Sequence, residues 1–166
     1  MSAITNITEF KAALDSLSDE QQRVLGAYFI AEVLDLTENK RLKEIQAIAK
    51  QVDASAEDLL DAYSSAQSIA MDLSFHGVRE IINFKKQAEH YVAKACAVCL
   101  FPMPASVKTR FRAWNIAHYC REARMCAGLK HEQDSDILSK LEKDLHETIT
   151  KQYALTSEFL AKTSCL

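Results

Sequence analysis

The sequence predicts an all-α fold, a single-domain bundle of six to seven mostly antiparallel helices covering residues 1–166. Three observations support this fold class. Apolar residues recur along most of the chain at the 3.6-residue period of an amphipathic helix. Glycine occurs three times and proline twice, whereas sheets with tight hairpins need more of both. Hydrophobic residues make up 48% and charged residues 26%, as in globular proteins with a buried core.

The first two helices are separated by a clear start signal. Apolar residues at helical spacing predict a short first helix over residues 8–16. Ser18 and Gln21 then match a capping box, in which each side chain accepts the backbone N–H of the other residue. A broad apolar face extends this second helix to about Leu36 and places it in the core. Gly26 inside it costs about 1 kcal/mol relative to alanine, which is tolerable where a neighbouring helix approaches closely.

Two further helices complete the first half of the chain. A narrow apolar stripe from Leu42 to Val52 predicts a short, peripheral third helix. Ser55, followed three residues later by Asp58, predicts the start of a fourth helix. Gly77 is its predicted C-terminal stop, because glycine adopts the left-handed conformation without penalty. Residues 78–86 form either a separate turn or the beginning of the next helix.

A helical hairpin is predicted around the two prolines. Residues 87–100 are mostly small or apolar, which predicts a helix that is surrounded by others. The Pro102-Met103-Pro104 sequence ends this helix, because a proline ring clashes with the preceding turn. A second helix over about residues 106–126 is predicted to bury Phe111 and Trp114 on its apolar side.

The last helix is predicted to be long. Gly128 closes the preceding helix, and Ser135 begins a final helix over about residues 135–162. We expect this helix either to pack on the rest of the domain or to mediate self-association. Its predicted apolar seam consists of Leu138, Leu141, Leu145, Ile149, Tyr153 and Leu160.

Charge is distributed unevenly along the chain. Residues 1–76 contain 6 basic and 13 acidic residues, giving −7, whereas residues 77–131 contain 10 and 3, giving +7. Residues 132–166 add −3, which brings the net charge to −3. The asymmetry indicates either an anionic partner or acidic and basic helices that neutralise each other within the fold. We favour the internal neutralisation.

Four residues of the hairpin form a candidate metal site. Cys96 and Cys99 share a helical face, and His118 and Cys120 follow on the next helix, so the four side chains could provide Cys₂His or Cys₃His coordination. Structural zinc sites usually place cysteine pairs on turns, and free cysteine is often buried as a small hydrophobic residue. Core packing is therefore the favoured interpretation, with metal binding and redox pairing as alternatives.

Basic residues on the second helix of the hairpin form the candidate binding site. They are Lys108, Arg110, Arg112, Arg121 and Arg124. Such a row could follow a phosphate backbone, with aromatic residues stacking on bases. Nucleic acid is disfavoured, because the aromatic residues are predicted in the core and the isoelectric point is near 6.0. An acidic protein partner fits the same arginines, as do salt bridges to the acidic first half.

Recognisable catalytic patterns are missing from the sequence. It has no glycine-rich phosphate loop, no Gly-x-Ser-x-Gly motif and no Glu-x-x-His pair of the di-iron bundles. Glu142 and His146 lie four residues apart on the last helix, a spacing that is more typical of a solvated contact than of a metal site. We therefore expect a non-enzymatic protein without a cofactor.

Several segments resemble a known family. They are the helix start Asp19-Glu20-Gln21-Gln22-Arg23-Val24-Leu25, the helix entry Lys40-Arg41-Leu42, and the small-residue segment Ala113-Trp114-Asn115-Ile116-Ala117-His118-Tyr119. Together they resemble the all-helical immunity proteins of bacterial polymorphic toxin systems. The chain departs from that pattern where Cys, Val and Tyr replace many alanines. The resemblance implies a protein that binds and neutralises a partner, and no functional residue is transferred from it.

The expected function is binding to another protein. The alternative is a bundle that binds a small ligand or a metal through the Cys/His hairpin. The longest apolar run is too short to span a membrane, and the first residues lack a secretion signal. Five cysteines, an odd number located mostly within helical patterns, favour a reducing cytoplasm over a disulfide scaffold.

Overall fold

The computed structural model describes residues 3–74, 83–102, 111–129 and 136–163. Over these residues the chain forms seven α-helices and no strand, which confirms the all-α prediction. A short 3₁₀ turn, Leu34–Leu36, follows the second helix. The α-helices are α1 (Ile7–Asp15), α2 (Asp19–Ala31), α3 (Lys40–Lys50), α4 (Ala56–Ser74), α5 (Phe84–Leu100), α6 (Arg112–Gly128) and α7 (Ile137–Thr163).

Side-chain caps begin the helices where the sequence predicts them. Ser18 Oγ accepts the Gln21 N–H at 3.2 Å, and Gln21 Oε1 accepts the Ser18 N–H at 2.9 Å, which completes the capping box. At the start of α4, Ser55 Oγ accepts the Asp58 N–H at 3.0 Å. The predicted stop at Gly77 and the predicted cap at Ser135 lie outside the described residues.

Helices that are consecutive in sequence pack mostly antiparallel. Arg112 at the start of α6 donates to the carbonyl of Cys99 near the end of α5, and Tyr91 in the middle of α5 stacks on Tyr119 in the middle of α6, with ring centroids 6.2 Å apart. These two helices therefore form the predicted hairpin. Ala117 in α6 accepts from Gln152 in α7 at 3.0 Å. Helix α2 lies along α6 and runs parallel to it, since Gln22 Oε1 accepts the N–H of Ala113 at 3.2 Å near the start of both helices.

Gly26 provides the close approach between α2 and α6. A Cβ atom at this position would overlap the Cδ1 atom of Ile116 and would lie 3.5 Å from the Sγ atom of Cys99. Ile116 and Cys99 are fully buried, so the surrounding side chains have little room to move. The missing side chain therefore allows α2 to pack directly on the central hairpin.

Helix α2 is shorter than predicted. It ends at Ala31 instead of continuing to Leu36, and the 3₁₀ turn occupies the intervening residues. Arg124 of α6 donates to the carbonyl of Glu32 and to the carboxylate of Asp35. The carbonyl of Glu32 at the end of α2 therefore has a hydrogen-bond donor without a further helical turn.

The most deeply buried residues of α7 are polar, and the predicted apolar seam lies beside them. The seam is partly buried, with Tyr153 and Leu160 packed against the core, except at Leu138. Leu138 is 73% exposed, whereas the buried residues of α7 are Thr148, Gln152 and Thr156. Both threonine hydroxyls donate to carbonyls one turn earlier in the same helix, at 2.8 Å. Because these hydroxyls are satisfied within the helix, they can pack on α6 without an unpaired polar group.

Candidate functional site

The basic residues predicted to bind a partner separate into two groups. Lys108 and Arg110 lie outside the described residues. Arg112, Arg121 and Arg124 lie on α6, and each of them contacts another part of the same chain. The aromatic residues beside them also differ from prediction. Trp114 packs against the core as expected, but Phe111 is 52% exposed.

Arg112 is an internal residue and is only 5% exposed. Its Nε and Nη2 atoms donate to the two carboxylate oxygens of Asp19, at 2.9 and 3.1 Å. The same guanidinium donates to the carbonyls of Val98, Cys99 and Phe101, at 3.3, 2.5 and 2.8 Å. Arg112 therefore caps the C-terminal end of α5 and fixes it to the start of α2.

Arg23 has the same role at the end of α3, and the sequence analysis did not identify it. This buried residue donates to the carbonyls of Ala49 and Gln51, at 2.6 and 2.8 Å. Its position on α2 provides a sequence signal, because Ala27 and Ile30 of the buried face follow it by four and seven residues. An arginine on an apolar face requires internal partners.

Arg124 and Arg121 are also engaged within the chain. Arg124 makes a bidentate contact with Asp35, at 2.8 and 2.7 Å. Arg121 donates from Nε to Gln152 at 2.8 Å, and its guanidinium carbon lies 5.7 Å from the ring centroid of Phe10. Burial lowers the pKa of Arg121. This residue joins α6 to α1 and α7 through one polar and one cation–π contact.

The prediction of an outward basic face on α6 is therefore wrong for Arg112, Arg121 and Arg124. Two of them pair with acidic residues of the first half, Asp19 and Asp35, as the internal-neutralisation alternative predicted. The physical reason is that helix ends expose unpaired carbonyl groups, for which a long arginine side chain is a suitable donor. Helical periodicity alone does not distinguish such a role from solvent exposure.

The four predicted metal ligands are not brought together. Cys96, Cys99 and Cys120 are buried, whereas His118 is exposed and lies 3.8 Å from Glu122. Within the described ranges, no group of three His, Cys, Asp or Glu residues is arranged to hold a metal ion. The metal alternative for these four residues is therefore corrected, because His118 and Cys120 are two residues apart on α6 and project from nearly opposite sides of it.

Burial controls the chemistry of the three thiols. It raises the pKa of Cys96 and Cys120 well above the usual range and that of Cys99 to about 12. The Sγ atom of Cys99 donates to the carbonyl of Arg23 at 3.2 Å. A thiol must lose its proton to act as a nucleophile or a metal ligand, so these residues pack as neutral hydrophobic groups.

The buried thiols predict a loss of stability at alkaline pH. Because the pKa of Cys99 is raised from 9.0 to about 12 in the folded chain, the unfolded chain releases this proton first as the pH rises. The contribution of Cys99 to stability is therefore fully present below about pH 9 and falls above it, by at most about 1.4 kcal/mol per pH unit. Urea denaturation of the reduced protein at about pH 7 and about pH 10 measures this loss.

Cys99→Ala provides the control for this prediction. The variant is expected to be less stable at neutral pH, because the substitution leaves a cavity. Its further loss between the two pH values should be smaller than that of the unmodified chain by about 1 kcal/mol. Equal losses in the two proteins would contradict the protonation mechanism, since lysines and tyrosines titrate in both.

A groove at one end of the bundle is surrounded by exposed apolar side chains. It has a volume of about 410 Å³ and is formed where α2, α4 and α6 begin and where α3 and α5 end. Three lining residues are large, apolar and exposed: Val52 is 67% exposed, Leu60 51% and Phe101 44%. Phe101 is held by an edge-on contact with Tyr63, with ring centroids 5.6 Å apart. We call this feature the apolar groove.

The base of the apolar groove is rigid and its rim is acidic. Arg23 and Arg112 form the base, where both donate to backbone carbonyls. Asp19 and Glu20 also line it, and other acidic residues lie beside its lining residues in the sequence. Val52 was predicted to lie on an apolar stripe of the third helix, but this residue follows the helix and faces solvent.

A second cleft, between α2, α6 and α7, has a different character. It has a volume of about 350 Å³ and contains charged residues of both signs. Lys151 pairs across it with Glu32 at 3.4 Å, and Arg124 contacts Asp35 at its edge. These contacts neutralise charge within the fold, and the large exposed apolar residues are found elsewhere.

No helix in the described part of the chain is long and apolar enough to cross a membrane. Comparison of the sequence with protein-family models and with curated proteins, and of the fold with solved structures, finds no match.

Proposed function

We propose that this protein acts by binding another protein and that the apolar groove is its binding surface. The observation that carries the proposal is the cluster of Val52, Leu60 and Phe101, which are exposed together around one concave surface. Large apolar side chains that surround a concave surface are typical of sites where a partner excludes water. The arginines of α6 are not the proposed surface, because Arg112 and Arg124 are paired with Asp19 and Asp35 and Arg121 is packed between α1 and α7.

Hydrogen bonds beneath the apolar groove hold the surrounding helix ends in place before a partner binds. Arg23 and Arg112 tie its base to the ends of α3 and α5 through short hydrogen bonds. A surface that is already ordered loses less conformational entropy when a partner binds. The resemblance to immunity proteins extends the proposal, since a protein of that kind binds and neutralises its partner.

A comparison of two variants tests the proposed surface. We expect Leu60→Ser combined with Phe101→Ser to reduce retention of the native partner, in a pull-down from the source cells, by at least about tenfold. Met71→Ser is the matched control, because Met71 is also an exposed apolar residue of α4 but does not line the groove. Circular dichroism checks that both variants fold.

Two outcomes would contradict the proposal. Equal retention of the partner by the groove variant would place the binding surface elsewhere. Equal losses in the groove variant and the Met71→Ser control would indicate non-specific adhesion to apolar side chains. Self-association through the last helix remains a separate prediction, which light scattering of the unmodified chain and of Leu138→Ser tests.

A further inference from the structure

Acidic residues from two parts of the chain line the apolar groove or flank its lining residues in the sequence, and we call them its rim. One part is the start of α2, where Asp19 and Glu20 line the groove. The other part is the connection between α3 and α4 and the first turns of α4. The exposed acidic residues there that flank lining residues are Asp53, between Val52 and Ala54, and Glu57, next to Ala56.

Among the described residues that line the groove, the positively charged ones lie below this rim. Arg23 and Arg112 are buried, and each donates to backbone carbonyl groups at a helix C-terminus. Carbonyl dipoles offset part of the arginine charge, and Arg112 also pairs with Asp19. The groups that a partner meets first are therefore the exposed carboxylates and the apolar side chains.

We infer that the apolar groove binds a protein segment that is rich in lysine or arginine and carries a bulky apolar side chain. This inference rests on the proposed function and specifies the chemistry of the partner. The apolar side chain enters between Val52, Leu60 and Phe101, while its cationic neighbours lie against the acidic rim. Opposite charge at the rim favours encounter and selects among partners.

The same charges argue against three other occupants of the groove. Phosphate groups of a nucleic acid and the headgroups of an anionic membrane are negatively charged, so the rim repels them. A second copy of this chain has a net charge of −3, and its exposed α4 face carries further carboxylates. A cationic protein segment is the occupant that satisfies both the apolar and the charged parts of the groove.

Three fluorescent peptides of equal length provide the test. The first contains leucine and lysine, the second leucine and glutamate, and the third serine and lysine. Fluorescence anisotropy with the full chain is expected to show saturable binding of the leucine–lysine peptide, with weaker binding at higher ionic strength. The other two peptides are expected to bind at least about tenfold more weakly.

Charge variants of the protein test whether the acidic rim is responsible for binding the leucine–lysine peptide. Glu20→Gln, Asp53→Asn and Glu57→Gln together are expected to weaken binding of the leucine–lysine peptide by about fivefold or more and to reduce its salt dependence. The control changes the same total charge at exposed positions away from the groove: Asp72→Asn, Glu142→Gln and Glu158→Gln. The control variant is expected to bind like the unmodified chain.

The outcomes separate this inference from the proposed function. If the leucine–glutamate peptide binds as well as the leucine–lysine peptide, or the rim variant binds normally, the cationic chemistry is wrong while the groove can still bind a protein. Absence of leucine–lysine binding, or competition by phosphatidylserine vesicles or oligothymidylate, would also overturn the inference. The pull-down tests the proposed function independently. Undiminished retention of the native partner by the variant with Leu60→Ser and Phe101→Ser would contradict that function.

Discussion

Replacing Arg112 with methionine is expected to lower the free energy of unfolding by about 3 kcal/mol. Methionine retains much of the side-chain volume but removes the donors that reach Val98, Cys99 and Phe101. Buried carbonyl groups at the end of α5 would then lose their partners, and Asp19 would lose its ion pair. Urea denaturation followed by circular dichroism measures the change.

Asp19→Asn separates the contribution of the Arg112–Asp19 ion pair from that of the hydrogen bonds between Arg112 and the carbonyls at the end of α5. The side chain of Asp19 is about half exposed, so its loss removes a partly screened charge and leaves the carbonyl contacts of Arg112 in place. We expect this variant to lose about 1 kcal/mol or less. A similar cost for both substitutions would show that the ion pair dominates, and an Arg112→Met cost below about 1 kcal/mol would contradict the capping role.

Gly26→Ala is expected to destabilise the fold by about 1–3 kcal/mol, even though alanine is the better helix former by about 1 kcal/mol. The added methyl group overlaps the Cδ1 atom of Ile116, which is fully buried between helices. Ile116→Val removes that atom and alone is expected to cost about 1 kcal/mol. The double variant should therefore be more stable than the sum of the single changes predicts, by about 1 kcal/mol or more.

The other helical glycine provides a matched comparison. A Cβ atom at Gly128 would lie 2.7 Å from the Cδ2 atom of Leu141, which is the end of a partly exposed side chain. Because Leu141 can change rotamer, Gly128→Ala is expected to cost less than Gly26→Ala. Additive effects of Gly26→Ala and Ile116→Val would contradict the overlap as the cause. Thermal or urea unfolding of the five proteins measures all of these differences.

The sequence predicted the helices well because their signals are local. The capping box at Ser18 and the proline break at Pro102 act within one turn of the backbone, so they can be read without knowledge of the fold. The close approach at Gly26 was also anticipated, since a glycine inside a core helix requires a neighbour. The start of α6 is described from Arg112 onward, and the earlier part of its predicted range lies outside the described residues.

The prediction of a basic binding site on α6 failed because it depended on the directions in which the arginine side chains project. The helical period of the sequence does not give those directions. Arg112 and Arg124 have the sequence context of a charged helix face, but their long side chains reach the ends of other helices. Gln152 of α7 is a similar case, because this buried polar side chain finds its partners, Ala117 and Arg121, on another helix, α6. The exposed apolar residues of the groove, Val52, Leu60 and Phe101, belong to three separate segments, and only the tertiary fold brings them together.

Three arginines that cap helix ends couple the unfolding of each end to the packing of a neighbouring helix. The C-terminal ends of α2, α3 and α5 receive donors from Arg124, Arg23 and Arg112, and each of these arginines belongs to a different helix from the one it caps. The last turn of such a helix cannot fray by itself, because fraying also breaks an interhelical contact. Amide hydrogens near these three ends should therefore exchange with solvent through cooperative opening of neighbouring helices, and not through independent unwinding of each end.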